Sequence, residues 1–236
     1  MIVFGGRGIL LDVEGTTSSI AFVYDVLFTH ARRHVAGFIE SHHDDAAVRE
    51  AVGMLATTAG TTVDLGTAEG RSRATLAALD LMDRDVKDTG LKLLQGMIWR
   101  HGFEAGDLVA HVYDDVPPAL AAWNDSGVDV RIYSSGSVEA QKLFFGHTAA
   151  GDLTPLLRGH YDTSTGPKRE QASYAAIAAD MGLAPREILF LSDVGAELDA
   201  ARAAGMATGL AIRPGNREPG GMFAHDPLHS FAEIVT

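Results

Sequence analysis

In Gly8-Ile9-Leu10-Leu11-Asp12-Val13-Glu14-Gly15-Thr16-Thr17 an apolar run of strand character stops at an acid, and a second acid follows two residues later. Residues two apart on an extended segment point the same way, so Asp12 and Glu14 can face one point beyond the strand end. Two carboxylates so placed tolerate each other through a divalent cation or a shared proton. Gly15 lets the backbone turn there and approach a ligand closely. Taken alone, the fragment also reads as a strand ending in an acidic turn.

Two more apolar runs end in polar chemistry. Val128 to Tyr133 stops at Ser134-Ser135-Gly136, and Glu187 to Leu191 stops at Ser192-Asp193. A loop, Gly166-Pro167-Lys168, precedes a helical stretch starting near Glu170. Each residue type has work to do in phosphoryl transfer. A carboxylate can attack phosphorus and divide the reaction into two easier steps, and a second acid can protonate the leaving oxygen and then activate water. A hard cation takes oxygen ligands and neutralises phosphate charge, while a lysine and serine hydroxyls hold the remaining phosphate oxygens.

The elements that must position these groups follow from periodicity. From Ile20 to Ile39 apolar residues recur at helical spacing, with Ser18 and Ser19 as N-cap choices. Ala46 to Ala56, Ala68 to Met82 and Lys92 to Arg100 read as further helices, with no convincing strand between about residues 20 and 105. Strands and helices then alternate: helix Pro117 to Ser126, strand Val128 to Tyr133, helix Val138 to Phe145 and a short strand Gly159 to Asp162. Helix Glu170 to Met181, strand Glu187 to Asp193, helix Leu198 to Ala204 and a last strong strand Thr208 to Ile212 complete the series. The pattern predicts an α/β fold: a Rossmann-like parallel-sheet core, residues 1–19 and 106–236, with an all-helical cap inserted after the first strand, residues 20–105. Ligands of such sheets bind outside the carboxyl ends of the strands, where Asp12, Ser134 and Asp193 fall.

Composition narrows the chemistry. The chain has 236 residues, 46% of them apolar, and a formal charge of −12. A surface this acidic repels nucleic-acid backbones and anionic lipid, so neither nucleic acid nor membrane is an expected partner. The absence of cysteine excludes thiolate nucleophiles and cysteine zinc sites. With no signal-peptide pattern at Met1 to Arg7 and no apolar run long enough to span a bilayer, a cytoplasmic location is expected.

The order Asp-x-Glu-Gly-Thr-Thr, strand-Ser, Lys, strand-Ser-Asp, with a helical insert after the first motif, resembles the haloacid dehalogenase superfamily. Within it, the stretches Asp12 to Ile20, Leu94 to Trp99, Tyr133 to Gly146, Gly166 to Lys168 and Phe190 to Asp193 are similar to the enolase-phosphatases (acireductone synthases) of methionine salvage. The resemblance runs from about residue 8 to Gly215, with Gly37 to Arg84 alike only in helical character. It implies a small-molecule phosphate ester as substrate, 2,3-diketo-5-methylthiopentyl 1-phosphate, enolised and dephosphorylated to an acireductone with one Mg²⁺ per chain. It further implies that Asp12 is nucleophile and metal contact. Glu14 is acid–base partner at the metal, by side chain or by carbonyl. Ser134, Ser135 and Lys168 bind phosphate, and Asp193 completes the metal site. A monomer is the expected assembly. Glu14 departs from the broad superfamily, most of whose phosphatases carry Asp at that place; its extra methylene suits a carboxylate that also serves enolisation.

Other readings remain at this level. A generic sugar-phosphate or nucleotide monoester phosphatase would use the same scaffold, and a phospho-aspartate signalling module would use the same acid without turnover. Carbon–halogen attack has no use for Glu14 or a metal. Asp193 and Ser134-Ser135-Gly136 are also plausible helix N-caps, and Glu197 is either a helper of the site or a solvated helix acid. His30 and His34, four apart, have metal-ligand spacing without a third ligand nearby and read as a solvated face beside Arg32 and Arg33. Met97, Trp99 and Phe103 read as cap core able to close over an apolar substrate tail.

Overall fold

The computed structural model describes residues 1–216 and 224–236. In chain order the elements are β1 (Ile2–Val3), β2 (Gly8–Leu11), a π-helical segment (Phe22–Phe28), α1 (Thr29–His42), α2 (Ala46–Thr58), α3 (Ala68–Asp83) and α4 (Thr89–Ala105). There follow α5 (Val116–Asp125), β3 (Asp129–Tyr133), α6 (Val138–Gly146), β4 (Gly159–Tyr161), α7 (Gln171–Met181) and β5 (Ile188–Ser192). The chain closes with α8 (Gly195–Ala203), β6 (Ala207–Ala211), β7 (Asp226–Leu228) and β8 (Ile234–Val235). Short 3₁₀ turns fill several of the connections. Two compact units result: Met1–Val23 with Val109–Thr236, and Tyr24–Leu108.

The first unit is the α/β fold. Six strands pair in the order β4-β3-β2-β5-β6-β7, all parallel. The reason lies in β2 and β5, whose residues are buried throughout: a continuous apolar run suits a strand covered on both faces. From β2 the chain builds outward through β3 and β4, then returns to the other side of β2 with β5 and continues to β7. The switch point, where a crevice opens at the carboxyl ends, is therefore at β2, and Asp12 stands at that end. One side of the sheet is packed by Tyr133, Tyr174, Ile177, Phe190 and Leu198, all fully buried. Beside the sheet, β1 pairs with β8, Ile2 opposite Ile234, and joins the chain's two ends. The sequence carried no sign of β1, β7 or β8.

The second unit consists of α1 to α4 around Val35, Ile39, Val52, Leu55, Leu81 and Leu94. Asp45, Thr67 and Asp88 begin three of its helices, each accepting a bond from a first-turn amide. Gly90 allows α4 to approach α2, since a Cβ there would lie 2.3 Å from the Ala51 carbonyl oxygen. The single helix expected from Ile20 is divided: Phe22–Phe28 takes the wider π register and α1 starts at Thr29. Apolar residues three and four apart do not distinguish the two windings. Lys92 to Arg100 proves the centre of a longer helix that a left-handed Gly106 ends. Phe103 is buried, and Met97 and Trp99 pack against this unit's core. His30 and His34 stack at 4.0 Å between ring centroids. No helix among the described residues is long and apolar enough to cross a membrane.

Candidate active site

Asp12 continues β2 by one residue, and its amide still donates to the Leu191 carbonyl of β5. The side chain is buried and both of its oxygens are engaged. Oδ1 lies 2.6 Å from Lys168 Nζ and accepts from the Val13 amide at 2.8 Å, while Oδ2 accepts from Ser192 Oγ at 3.0 Å. Lys168 Nζ is also 2.7 Å from Glu197 Oε2, and Ser192 Oγ is 3.3 Å from that same oxygen. Asp12, Lys168, Glu197 and Ser192 thus form one closed network of buried side chains. Burial works against the Lys168 ammonium, but Asp12 and then Glu197 outweigh it and its pKa is pushed up to about 12. Burial first, then the Asp12 charge, push the Glu197 carboxyl up to about 7.

Lys168 is held by its backbone as well as by its charge. Three successive carbonyls of its loop each accept a hydroxyl: Gly166 from Tyr133 and Pro167 from Ser173, both at 2.8 Å, and Lys168 from Tyr174 at 2.7 Å. The Lys168 ammonium lies 5.7 Å from the centroid of the Tyr133 ring, so the ring that bounds the site also anchors its loop.

Ser134 follows Tyr133 at the end of β3, next to β2 in the sheet. Its hydroxyl is buried and accepts from the Gly136 amide at 3.2 Å; Ser135 is exposed. The cap of α6 is Ser137, whose hydroxyl accepts from the Ala140 amide, so Ser134-Ser135-Gly136 is the loop before the cap. That loop lies just ahead of a helix N-terminus, which favours an anion. Gln141 fixes it by donating to the carbonyls of Gly136 and Tyr161, each at 2.8 Å.

Asp193 ends β5's run and is no helix cap: Val194 occupies that position before α8 and makes no side-chain cap bond. Burial first, then the charge of Asp12, with a smaller push from Glu14, raise its carboxyl to about 7. A carboxyl pushed toward its neutral form by burial and a neighbouring charge fits a hard cation, which favours the charged form. Among the described residues no three His, Asp or Glu side chains are gathered to hold a metal. Mg²⁺ commonly needs only one or two carboxylates with water and phosphate oxygens, so the Asp12 and Asp193 donor set suits it. Glu14 is half-buried and its backbone bridges to Ser18.

Gly15 adopts φ +70°, and a Cβ there would lie 2.3 Å from Asp193 Oδ2. The turn after Asp12 therefore lies directly against the Asp193 carboxylate. Gly15→Ala should cost about 1–2 kcal/mol for the left-handed backbone and displace Asp193. A fall in kcat of about tenfold or more is expected, with a lowered thermal midpoint; unchanged kcat would show that the close approach has no catalytic consequence.

Residue type, motif order and the resemblance to the family singled out Asp12, Glu14, Ser134, Ser135, Lys168 and Asp193. They missed Ser192 as the hydroxyl joining Asp12 to Glu197, and they left Glu197 undecided; the buried bond to Lys168 decides it. The available signal was position, because Ser192 ends a fully buried strand and Glu197 lies on the next helix's first turn.

A parallel sheet with a strand-end aspartate, a loop lysine bound to it and a second strand-end aspartate defines the haloacid dehalogenase-like hydrolases, and residues 7–205 match that family's model. The chain is 48% identical over 231 residues to the enolase-phosphatase E1 of Pseudomonas aeruginosa (strain UCBPP-PA14), covering 97% of this chain and 98% of that one. It is also 48% identical over 215 residues to the enolase-phosphatase E1 of Sorangium cellulosum, covering 91% of each. The crystal structure of the UTR4 protein from Saccharomyces cerevisiae superposes with a TM-score of 0.82 at 36% identity, covering 97% of this chain and all of that one. The chain belongs to the enolase-phosphatase E1 family.

Proposed function

We propose that this chain is a Mg²⁺-dependent bifunctional enolase and phosphatase. It converts 2,3-diketo-5-methylthiopentyl 1-phosphate to the dihydroxy-keto-methylthiopentene acireductone and phosphate in methionine salvage. Relatives at nearly half identity over almost the whole chain support the activity. The observation that carries the chemistry is the Asp12 carboxylate, held at a strand end by Lys168 on one oxygen and Ser192 on the other.

Enolisation moves a proton from the carbon that bears the phosphate ester to the oxygen of the neighbouring ketone, by way of an enolate, and leaves an enol phosphate. Asp12 then attacks phosphorus in line, so that an aspartyl phosphate forms as the ester P–O bond breaks. Glu14 gives its proton to the departing oxygen and later takes one from the water that hydrolyses the aspartyl phosphate. Lys168, Ser134 and Ser135 hold phosphoryl oxygens as charge redistributes. Side-chain oxygens of Asp12 and Asp193, with the Glu14 carbonyl, would hold Mg²⁺, one ion per chain. When bound, that ion neutralises charge on the phosphoryl oxygens.

A kinetic comparison tests the reading. We expect kcat/KM on the diketo phosphate to exceed that on simple phosphate monoesters by about 100-fold or more. Chelation by EDTA should lower phosphate release about 1000-fold, and added Mg²⁺ should restore it. Equal rates on all monoesters would reduce the assignment to a general phosphatase, and release unaffected by EDTA would remove the metal from it.

A further inference from the structure

The backbone that carries Glu14 is clamped by residues that follow β6, two strands from β2 in the sheet. In the turn after Asp12, the amides of Thr16, Thr17 and Ser18 all donate to the Val13 carbonyl, and the Gly15 amide donates to the Ser18 carbonyl. The turn's donors are thereby used within it, and two of its carbonyls point outward to side chains that follow β6. Asn216 Nδ2 donates to the Gly15 carbonyl at 2.7 Å, and Arg213 Nε donates to the Thr16 carbonyl at 2.9 Å.

Arg213 is itself held through Nε and Nη1 and between two rings. It is 5% exposed, and its Nη1 meets both oxygens of Asp115, at 3.0 and 2.9 Å, and donates to the His229 carbonyl. The guanidinium lies 4.7 Å from the centroid of the Tyr113 ring and 4.5 Å from that of Phe231. Thr16 Oγ1, Arg213 Nη2 and Asn216 Oδ1 are buried with no hydrogen-bond partner among the described residues. Buried polar atoms left unpaired cost stability.

We propose that Arg213 and Asn216 are positioning residues for the phosphatase chemistry, clamping the Gly15–Thr16 backbone so that Glu14 and Asp193 keep one geometry. The inference rests on the roles given above to Asp12, Glu14 and Asp193. The link is direct: Gly15, the residue held by Asn216, is also the residue that lies against Asp193. Loss of either bond frees a carbonyl next to the acid–base carboxylate while leaving Asp12, Lys168 and Glu197 in their own network. The expected defect is therefore in the chemical steps and not in phosphate binding.

The test uses the full chain with Mg²⁺. Asn216→Ala should lower kcat for phosphate release by about 10- to 100-fold, since a small misplacement is costly in a preorganised site. KM should stay within about twofold of the parent value. Arg213→Lys, which cannot reach Asp115 and the Thr16 carbonyl together, should show the same split with a larger fall in kcat and a lower thermal midpoint. Combining Asn216→Ala with Glu14→Gln gives the readout that a merely structural role would not move. Once the proton carrier is gone, the Asn216 change should cost less than about threefold more. Undiminished kcat in Asn216→Ala, or an equal loss in both backgrounds, overturns the clamp. Parent-level kcat in Glu14→Gln alone overturns the assignment of Glu14 and the clamp with it.

Discussion

Asp12→Asn is expected to abolish phosphate release, with kcat falling by about 10⁴-fold or more, because the substitution removes the attacking oxygen and not merely a contact. Asparagine keeps the size of the side chain and one acceptor for the Val13 amide, so the strand end can retain its shape. What changes is charge and polarity. Lys168 Nζ, 2.6 Å from Asp12 Oδ1, loses the stronger of the two attractions that hold it charged in a buried place. The new amide NH₂ must face either that ammonium or the Ser192 hydroxyl, a donor against a donor in the first case. A moderate loss of stability, read by thermal melting, should therefore accompany the loss of turnover. The two effects separate by measurement below the melting transition, where a folded variant that still releases phosphate at more than a hundredth of the parent rate would exclude Asp12 as nucleophile.

How much of this was legible before folding differs by element and by residue, and the differences have physical causes. The central strands β2 and β5 were readable because a strand covered on both faces is apolar along its whole length, and β3 because half-buried Asp129 and Arg131 alternate with buried Val130 and Ile132. At their ends, function forces polar residues into view. The strands Ile2–Val3, Asp226–Leu228 and Ile234–Val235 were not readable, being two or three residues long, and Pro227 argues against a strand unless it lies at an edge, where β7 does. The site residues Asp12, Lys168 and Asp193 stood out because their order along the chain is tied to a chemical role. Tyr133, Ser173 and Tyr174 did not, because nothing local says that a hydroxyl will meet a particular carbonyl of another loop. Arg213 was hidden for the same reason: its partners, Thr16, Asp115 and His229, come from three separate parts of the chain. Chemistry-bearing groups are visible through residue type, whereas the groups that hold them depend on tertiary geometry.

Lys168→Met shows what such holding is worth, and it should be the second most damaging change. Methionine preserves much of the side chain's length and apolar stem but leaves Asp12 and Glu197 facing one another in a buried site with Asp193 close by. Breaking a buried ion pair by removing one partner costs about 3–5 kcal/mol, since the remaining charge is uncompensated. Here two carboxylates lose the same cation. The expected response is that Glu197, already pushed up to about 7 by burial and then by Asp12, takes a proton at neutral pH and limits the damage. Turnover should fall about 1000-fold or more, because phosphate also loses a positive donor as charge develops. Adding Glu197→Gln distinguishes the two losses. The double variant removes the second buried carboxylate along with the lysine, so its thermal midpoint should recover most of the way to the parent while kcat stays at the level of Lys168→Met. Recovery of kcat with stability would mean that Lys168 acts only to neutralise Glu197 and never meets phosphate. Failure of the midpoint to recover would mean that the network of Asp12, Lys168, Glu197 and Ser192 is not held together by the charge balance its geometry implies.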